Sequence, residues 1–176
     1  MTKEDIAYMT YAPEMLRALE NPGLLLVTQG KDGKPNPMTI GWATLGCLWG
    51  LPCFVTLVRP SRYSYKLLEE SGEFTINVLP KELAEAAAYC GTVSGRDDDK
   101  FATQGFIALP SRKVKPPVIE QCVIHLECRV VHYNDIRAET MPAELAKSTY
   151  PAGDGHRLYY GEILAAYADP DARKRL

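Results

Sequence analysis

This 176-residue sequence predicts a mainly β fold with short helices, arranged as an antiparallel barrel. Three observations carry that expectation. Gly 13, Pro 13 and Tyr 10 supply frequent turns and strand-favouring aromatics. Several segments alternate apolar and polar residues with a period of two. Hairpin signals crowd the first half, and the helical segments do not recur at the spacing of regular βαβ units.

The elements follow in order. Pro13–Leu19 has the pattern of a short helix, stopped by Asn21-Pro22-Gly23. Leu24–Thr28 is an apolar run with the length of a buried strand. Asp32-Gly33 is a strong hairpin signal, and the strand after it is expected to run from Pro35 to Leu48. Gly41 and Gly46 within it would mark bulges or close backbone approaches. Pro52 opens a strand over Cys53–Val58, and Ser61–Ser71 reads as a helix with Ser61 as N-cap and Gly72 as stop. In Glu73–Leu79, Phe74, Ile76 and Val78 point one way and Glu73, Thr75 and Asn77 the other. Lys81–Tyr89 is helical by composition, and Asp98–Thr103 is a second short helix ended by Gly105. Val118–Tyr133 is expected as one long strand, with Cys122, Ile124, Leu126, Cys128 and Val130 on one face and His125, Glu127 and Arg129 on the other. Leu158–Tyr167 is the last strand, and Asn134–Asp154 shows no regular pattern.

Length and composition bound the function. The chain is expected to be a single domain over residues 1–176. Lys+Arg 20 against Asp+Glu 22 gives a net charge of −2, which argues against nucleic-acid binding by bulk charge. No stretch approaches the roughly 20 apolar residues of a membrane span. The polar start Met1-Thr2-Lys3-Glu4-Asp5 has no apolar run behind it, so a cytoplasmic protein with reduced thiols is expected. Cys122 and Cys128 read as core residues, and Cys90 stands beside Gly91 ahead of the Ser94-Gly95-Arg96 turn. Gly153-Asp154-Gly155-His156-Arg157-Leu158 lacks the third glycine of a dinucleotide fingerprint, and Gly41 and Gly46 are followed by Cys47 where a phosphate loop needs Lys. HExxH, CxxC and GxSxG patterns are absent from the sequence, and no metal site is assigned.

Four segments carry chemistry. Arg59-Pro60-Ser61-Arg62-Tyr63-Ser64-Tyr65-Lys66 holds three cations and no acid where a strand meets a helix. Free first-turn N–H groups, the helix dipole, Arg62, Lys66, Ser61 and Ser64 together suit a phosphate, although the same pattern also suits a capped helix with a solvated basic face. Asn36-Pro37-Met38-Thr39-Ile40-Gly41-Trp42 places amide, hydroxyl and aromatic groups along one strand, suited either to a flat heteroaromatic or to ordinary packing. Cys90-Gly91-Thr92-Val93-Ser94-Gly95-Arg96-Asp97-Asp98-Asp99-Lys100-Phe101 combines a turn, a hydroxyl and cations with acids that can cap the next helix. Gly155-His156-Arg157-Leu158-Tyr159-Tyr160-Gly161-Glu162-Ile163 brings a histidine to the start of the last strand, where a surface position is the plain reading.

Taken in chain order, the four segments resemble the flavin reductase-like family, whose members have the FMN-binding split-barrel fold. The likeness runs over roughly residues 20 to 165 and is nearest to the flavoredoxin subgroup. Asn36-x-Met38-Thr39-x-x-Trp42, Arg59-x-Ser61-Arg62-Tyr63-Ser64, the Ser94-Gly95-Arg96 to Lys100-Phe101 loop and the closing Gly161-Glu162-Ile163 strand carry it. The resemblance implies a homodimer with FMN near the subunit interface. It implies Arg59, Ser61, Arg62, Ser64 and Lys66 around the flavin phosphate, with Ser94 and Lys100 close by. Asn36, Thr39 and Trp42 would lie along the ribityl and isoalloxazine side, and Met38, Tyr63, Cys90, Gly91 and Arg96 complete the candidate cofactor set. His156 would approach the nicotinamide as the candidate catalytic residue. The implied activity is electron transfer from NAD(P)H through FMN to free flavin, a metal ion or a partner protein. An electron carrier with no nicotinamide site, and a flavin- or haem-binding sensor, stand as alternatives.

Overall fold

The computed structural model describes residues 3–176. In chain order the elements are β1 (Glu4–Asp5), α1 (Ala12–Glu20), β2 (Leu24–Gln29), β3 (Pro35–Ile40), β4 (Ala43–Leu48) and β5 (Leu51–Val58). Then come α2 (Tyr63–Ser71), β6 (Glu73–Val78), α3 (Ala84–Thr92), α4 (Lys100–Thr103), β7 (Ala108–Leu109) and β8 (Val118–Ile119). The chain continues with β9 (Ile124–Asp135), α5 (Ala143–Thr149), β10 (Arg157–Ala168) and α6 (Ala172–Arg175). The main sheet has the order β3-β2-β6-β9-β10-β5-β4, with β1 paired to the far end of β10, and every pairing is antiparallel. β7 and β8 form a separate ribbon.

β3 and β4 stand at opposite ends of this order, yet only Gly41 and Trp42 separate them in the chain. Laid flat, the strands between them would set the two edges about 29 Å apart at roughly 4.8 Å per neighbour. A two-residue link spans only about 10 Å. The sheet therefore curls until its edges approach. Among the described residues β3 pairs with β2 and β4 with β5, not with each other, so the barrel is open along one seam.

This closure corrects the expected single strand over Pro35–Leu48. The chain breaks at Gly41-Trp42 and crosses the seam, whereas Gly46 sits in regular register opposite Cys53 with open space beside it. The expected strand Val118–Tyr133 is also interrupted. Val118–Ile119 pairs with β7, and the Cys122 N–H donates back to the Ile119 carbonyl at 3.1 Å. Cys122 therefore packs in a different apolar cluster from Ile124, Leu126 and Cys128. Helix α2 begins at Tyr63 with Arg62 as its N-cap, so Ser61 is not the capping residue; Gly72 ends it in the left-handed conformation at φ 64°. In the stretch without pattern, β9 runs on to Asp135, a short 3₁₀ turn covers Ala138–Thr140, and α5 follows with no buried side chain.

The apolar run in β2 is buried on both faces. Leu24 and Leu26 join Phe74, Ile76 and Leu126 in one cluster, while Leu25 and Val27 pack with Ala87, Cys90 and Phe101 in a second. The alternate face of β6 and β9 is equally buried: Thr75, Asn77, His125 and Glu127 are all fully covered. Such groups need partners, and the segment 110–119 supplies them to Thr75, Asn77 and Glu127, whereas His125 Nδ1 lies 2.8 Å from Asn77 Oδ1 and its buried Nε2 has no partner among the described residues. The Glu127 carboxylate accepts from the Arg112 and Lys113 N–H groups at 2.8 and 2.6 Å and from the Tyr167 hydroxyl at 2.7 Å. Asn77 accepts from the Ile119 N–H at 2.9 Å, and Thr75 donates to the Pro117 carbonyl at 2.8 Å. The residues that alternate as polar in sequence hold this excursion against the sheet.

Gly161 in β10 is fixed by a close approach. An added Cβ would lie 2.4 Å from Phe74 Cζ, inside the packed barrel. Gly161→Ala should lower stability by about 1–3 kcal/mol through overpacking, read as a reduced urea midpoint with an unchanged slope.

Candidate functional site

A groove runs along the seam in two abutting cavities, of about 260 and 100 Å³, which share Met38 and Arg62. The larger is walled by the end of β3, the Gly41-Trp42 crossing, the end of β5 at Leu57–Val58, the following Arg59 and Arg62, and His156. The smaller lies between Asn36, the start of α2 and the turn after α3. The break between β3 and β4 that opens the barrel thus also makes the groove.

At the smaller cavity the chain leaves β5, turns at Arg59–Arg62 and enters α2. Ser64, in the first turn, is fully buried, and its Oγ accepts from Asn36 Nδ2 at 2.9 Å. That bond leaves the Ser64 hydroxyl hydrogen free to donate. Arg62 faces both cavities, and among the described residues no hydrogen bond or ion pair engages its guanidinium. Gly95 closes this end. An added Cβ would lie 1.9 Å from Asn36 Oδ1 and 2.9 Å from the Tyr63 ring, so only glycine allows the turn to seat there. Arg96 clasps the turn onto the loop before α2, donating to the Ser61 carbonyl at 3.1 Å with its guanidinium 5.5 Å from the Tyr63 ring centre. Ser94 Oγ accepts from the Arg96 N–H at 3.2 Å. Lys100 is buried and donates to the Cys90 and Val93 carbonyls, both at 3.2 Å, which leaves one of its three N–H bonds. Burial holds its pKa below the ordinary lysine range.

At the larger cavity, half-exposed Trp42 lies against the His156 ring, with 5.0 Å between centroids. The Tyr150 hydroxyl is 2.9 Å from His156 Nδ1. Burial, reinforced by Arg59 and Arg62, lowers the His156 pKa from 6.5 to about 4, so the imidazole is neutral at physiological pH. Arg59 donates to the Thr149 and Asp154 carbonyls, both at 3.1 Å, and Ser61 donates to Asp154 Oδ2 at 2.9 Å. Together these bonds strap residues 136–155 beside the groove.

All the sequence-predicted site residues except Lys66 line this groove. Lys66 points away from it and pairs with Glu70 at 3.7 Å. Several neighbours are committed elsewhere. Arg59 and Ser61 hold the strap, and the Thr39 hydroxyl donates to the Ala87 carbonyl at 2.5 Å. Cys90 is buried with its thiol pushed up to about 11 by desolvation, so at neutral pH it is a protonated thiol and not a nucleophile. Sequence reasoning did not single out Tyr150 and Asp154, because their contacts reach across the fold from an unpatterned stretch. The close approach at Gly95 left only its place in a turn as a signal.

His156 ties stability to pH. Its folded pKa lies below 6.5, so as pH falls from about 6.5 towards 4 the unfolded chain takes up a proton that the folded chain refuses. Stability should therefore drop across that window, and drop less steeply in His156→Gln, measured as urea midpoints between pH 7 and 4. His125, fully buried and pushed the same way, contributes equally to both proteins.

Comparison with known proteins places these features in company. Residues 16–176 match the family described as flavin reductase like domain. An uncharacterized protein of Archaeoglobus fulgidus is 34% identical over 139 residues, covering 79% of this chain and 68% of that protein. Among solved structures, the flavoredoxin of Desulfovibrio vulgaris (Miyazaki F) superposes with a TM-score of 0.68 and 26% identity, covering 84% of this chain and 69% of that one. The NADH:FAD oxidoreductase SgcE6 of Streptomyces globisporus shares the fold, with a TM-score of 0.63 and 20% identity over 97% of this chain and 90% of that one. No helix among the described residues is long and apolar enough to cross a membrane.

Proposed function

The chain belongs to the flavin reductase-like domain family, and from that premise we propose that it is an FMN-dependent oxidoreductase that takes electrons from NAD(P)H and passes them to free flavin, a metal ion or a protein acceptor. One observation carries the reading: two abutting cavities, one at an anion-suited helix start and one walled by Trp42, His156 and apolar strand residues, joined through Met38 and Arg62.

The donor set fits FMN. The N–H groups of Tyr63 and Ser64 at the start of α2, the buried Ser64 hydroxyl and the uncommitted Arg62 suit a phosphate. Met38, Ile40, Leu57 and Val58 give the larger cavity apolar sides, and Trp42 offers a ring face for a flat heteroaromatic. When bound, FMN supplies the electron chemistry, and the protein supplies binding, orientation and electrostatics. Arg62 and Arg59 bias the groove towards ligands carrying negative charge. Asn36, held on Ser64, offers an amide of fixed direction. Neutral His156 supplies a hydrogen-bonding group beside Trp42 without adding charge.

Titration of the purified protein with FMN should give a bound-flavin visible spectrum, and anaerobic NADH or NADPH should bleach it. A protein that takes up no flavin would overturn the whole reading. Flavin binding without bleaching by either nucleotide would favour an electron carrier, the reading that the flavoredoxin likeness supports. Arg62→Ala should weaken FMN by about tenfold or more, the worth of a charge-assisted hydrogen bond, and change riboflavin affinity little. Equal losses for both flavins would remove Arg62 from the phosphate.

The proposal includes a homodimer. Trp49, Val131 and Tyr133 expose apolar and aromatic surface, and Trp49 meets both His132 and Tyr160 at 5.8 Å. Light scattering should give twice the 19.6 kDa chain mass; a monomer mass would reject this part.

A further inference from the structure

We propose that Tyr150 is a positioning residue for His156: its hydroxyl donates to Nδ1 and holds the ring as the Nε2–H tautomer, giving the seam end of the groove a neutral donor of fixed direction. Such a donor matches a ligand that presents an uncharged, carbonyl-type acceptor there. The inference rests on the groove being the ligand site, as proposed above, but not on which ligand is the flavin.

The direction of the bond follows from accounting for hydrogens. Tyr150 is 6% exposed, and His156 Nδ1, at 2.9 Å, is the partner of its hydroxyl among the described residues. Were Nδ1–H the donor, the phenolic hydrogen would be a buried donor with no acceptor, a costlier arrangement than an unused oxygen lone pair. With the phenol donating, Nδ1 is spent and the proton resides on Nε2.

The surroundings hold both rings. The Tyr150 N–H donates to the Ala146 carbonyl at 2.8 Å, and its own carbonyl accepts from Gly153 at 3.0 Å. Arg59 lies 5.2 Å from the Tyr150 ring centre while donating to the neighbouring Thr149 carbonyl. The His156 carbonyl accepts from the Ile136 N–H at 2.9 Å, and Trp42 lies against the imidazole. Burial, and after it Arg59 and Arg62, stand against protonation of the ring, so its donor works uncharged. The groove is thus graded: it takes an anion at the start of α2 and an uncharged acceptor at the seam.

Side-chain ¹⁵N NMR of the ligand-free protein tests this directly. His156 should show a protonated Nε2 and an Nδ1 shifted as a hydrogen-bond acceptor. Tyr150→Phe keeps the ring and its stacking on Arg59, and an unchanged amide spectrum would certify its fold. In that variant Nδ1 should move to the shift of an unbonded nitrogen, and the tautomer ratio should change by up to about tenfold, as one hydrogen bond commands. In turnover, Tyr150→Phe should lower kcat with FMN affinity held within about twofold, and should add little to His156→Gln. A wild-type His156 protonated at Nδ1, or nitrogen shifts unmoved by Tyr150→Phe, would overturn the inference. The NMR signature in a protein that takes up no flavin would uphold it and reject the flavin reading instead.

Discussion

The span from Ile40 to Ala43 governs this molecule. Gly41 and Trp42 carry the chain between the two outermost strands of the sheet, and so short a link can do so only if the sheet rolls up. The roll brings the edges close without pairing them, leaving a seam whose walls are strand ends. Met38 comes from one edge strand and Trp42 from the crossing, and Leu57 and Val58 come from strand β5 beside the other edge, with Arg59 just after it. Closure of the barrel and formation of the groove are one event. The residues of the crossing therefore serve both, with the Leu19 carbonyl at the end of α1 beside Gly41 and Trp42 lining the groove.

The groove is basic in composition but selective in what it leaves free. Arg59 is spent on strap carbonyls, Lys100 on the carbonyls of Cys90 and Val93, Arg96 on the Ser61 carbonyl, and Lys66 on Glu70. The cation motif visible in the sequence is thus mostly scaffolding that shapes a loop around one uncommitted guanidinium, that of Arg62. This arrangement is consistent with the net charge of −2: the fold needs local donors of fixed direction, and bulk positive charge would add nothing to them.

Where local pattern and tertiary contact agree, the sequence was readable. The apolar run of β2, the hairpin at Asp32-Gly33 and the stop at Gly72 depend on neighbours in the chain. The groove residues were legible because they cluster in short motifs whose order and spacing are characteristic. What could not be read depends on distant partners. Alternation continues through Gly41, so nothing local announces that the strand ends and its continuation lies across the barrel. Thr75, Asn77 and Glu127 alternate as the polar face of their strands, and nothing local shows that the excursion through residues 110–119 covers them. The strap at 136–155 has no amphipathic signature because it is held by Arg59, Ser61 and His156 rather than by apolar burial.

Strand β10 lies between β9 and β5, pairing Gly161 with Phe54 on one side and Val130 on the other. Its partner β5 lies about a hundred residues earlier in the chain. Bringing such distant segments together must be entropically costly before any pairing rewards it, which places the fold among slow, high-contact-order topologies. During synthesis β4 and β5 can form only an isolated hairpin until the chain beyond Arg157 has emerged. The groove wall at His156 arrives with that same strand, so a nascent chain gains its groove and its complete sheet together, and anything that binds in the groove would reward only the finished topology.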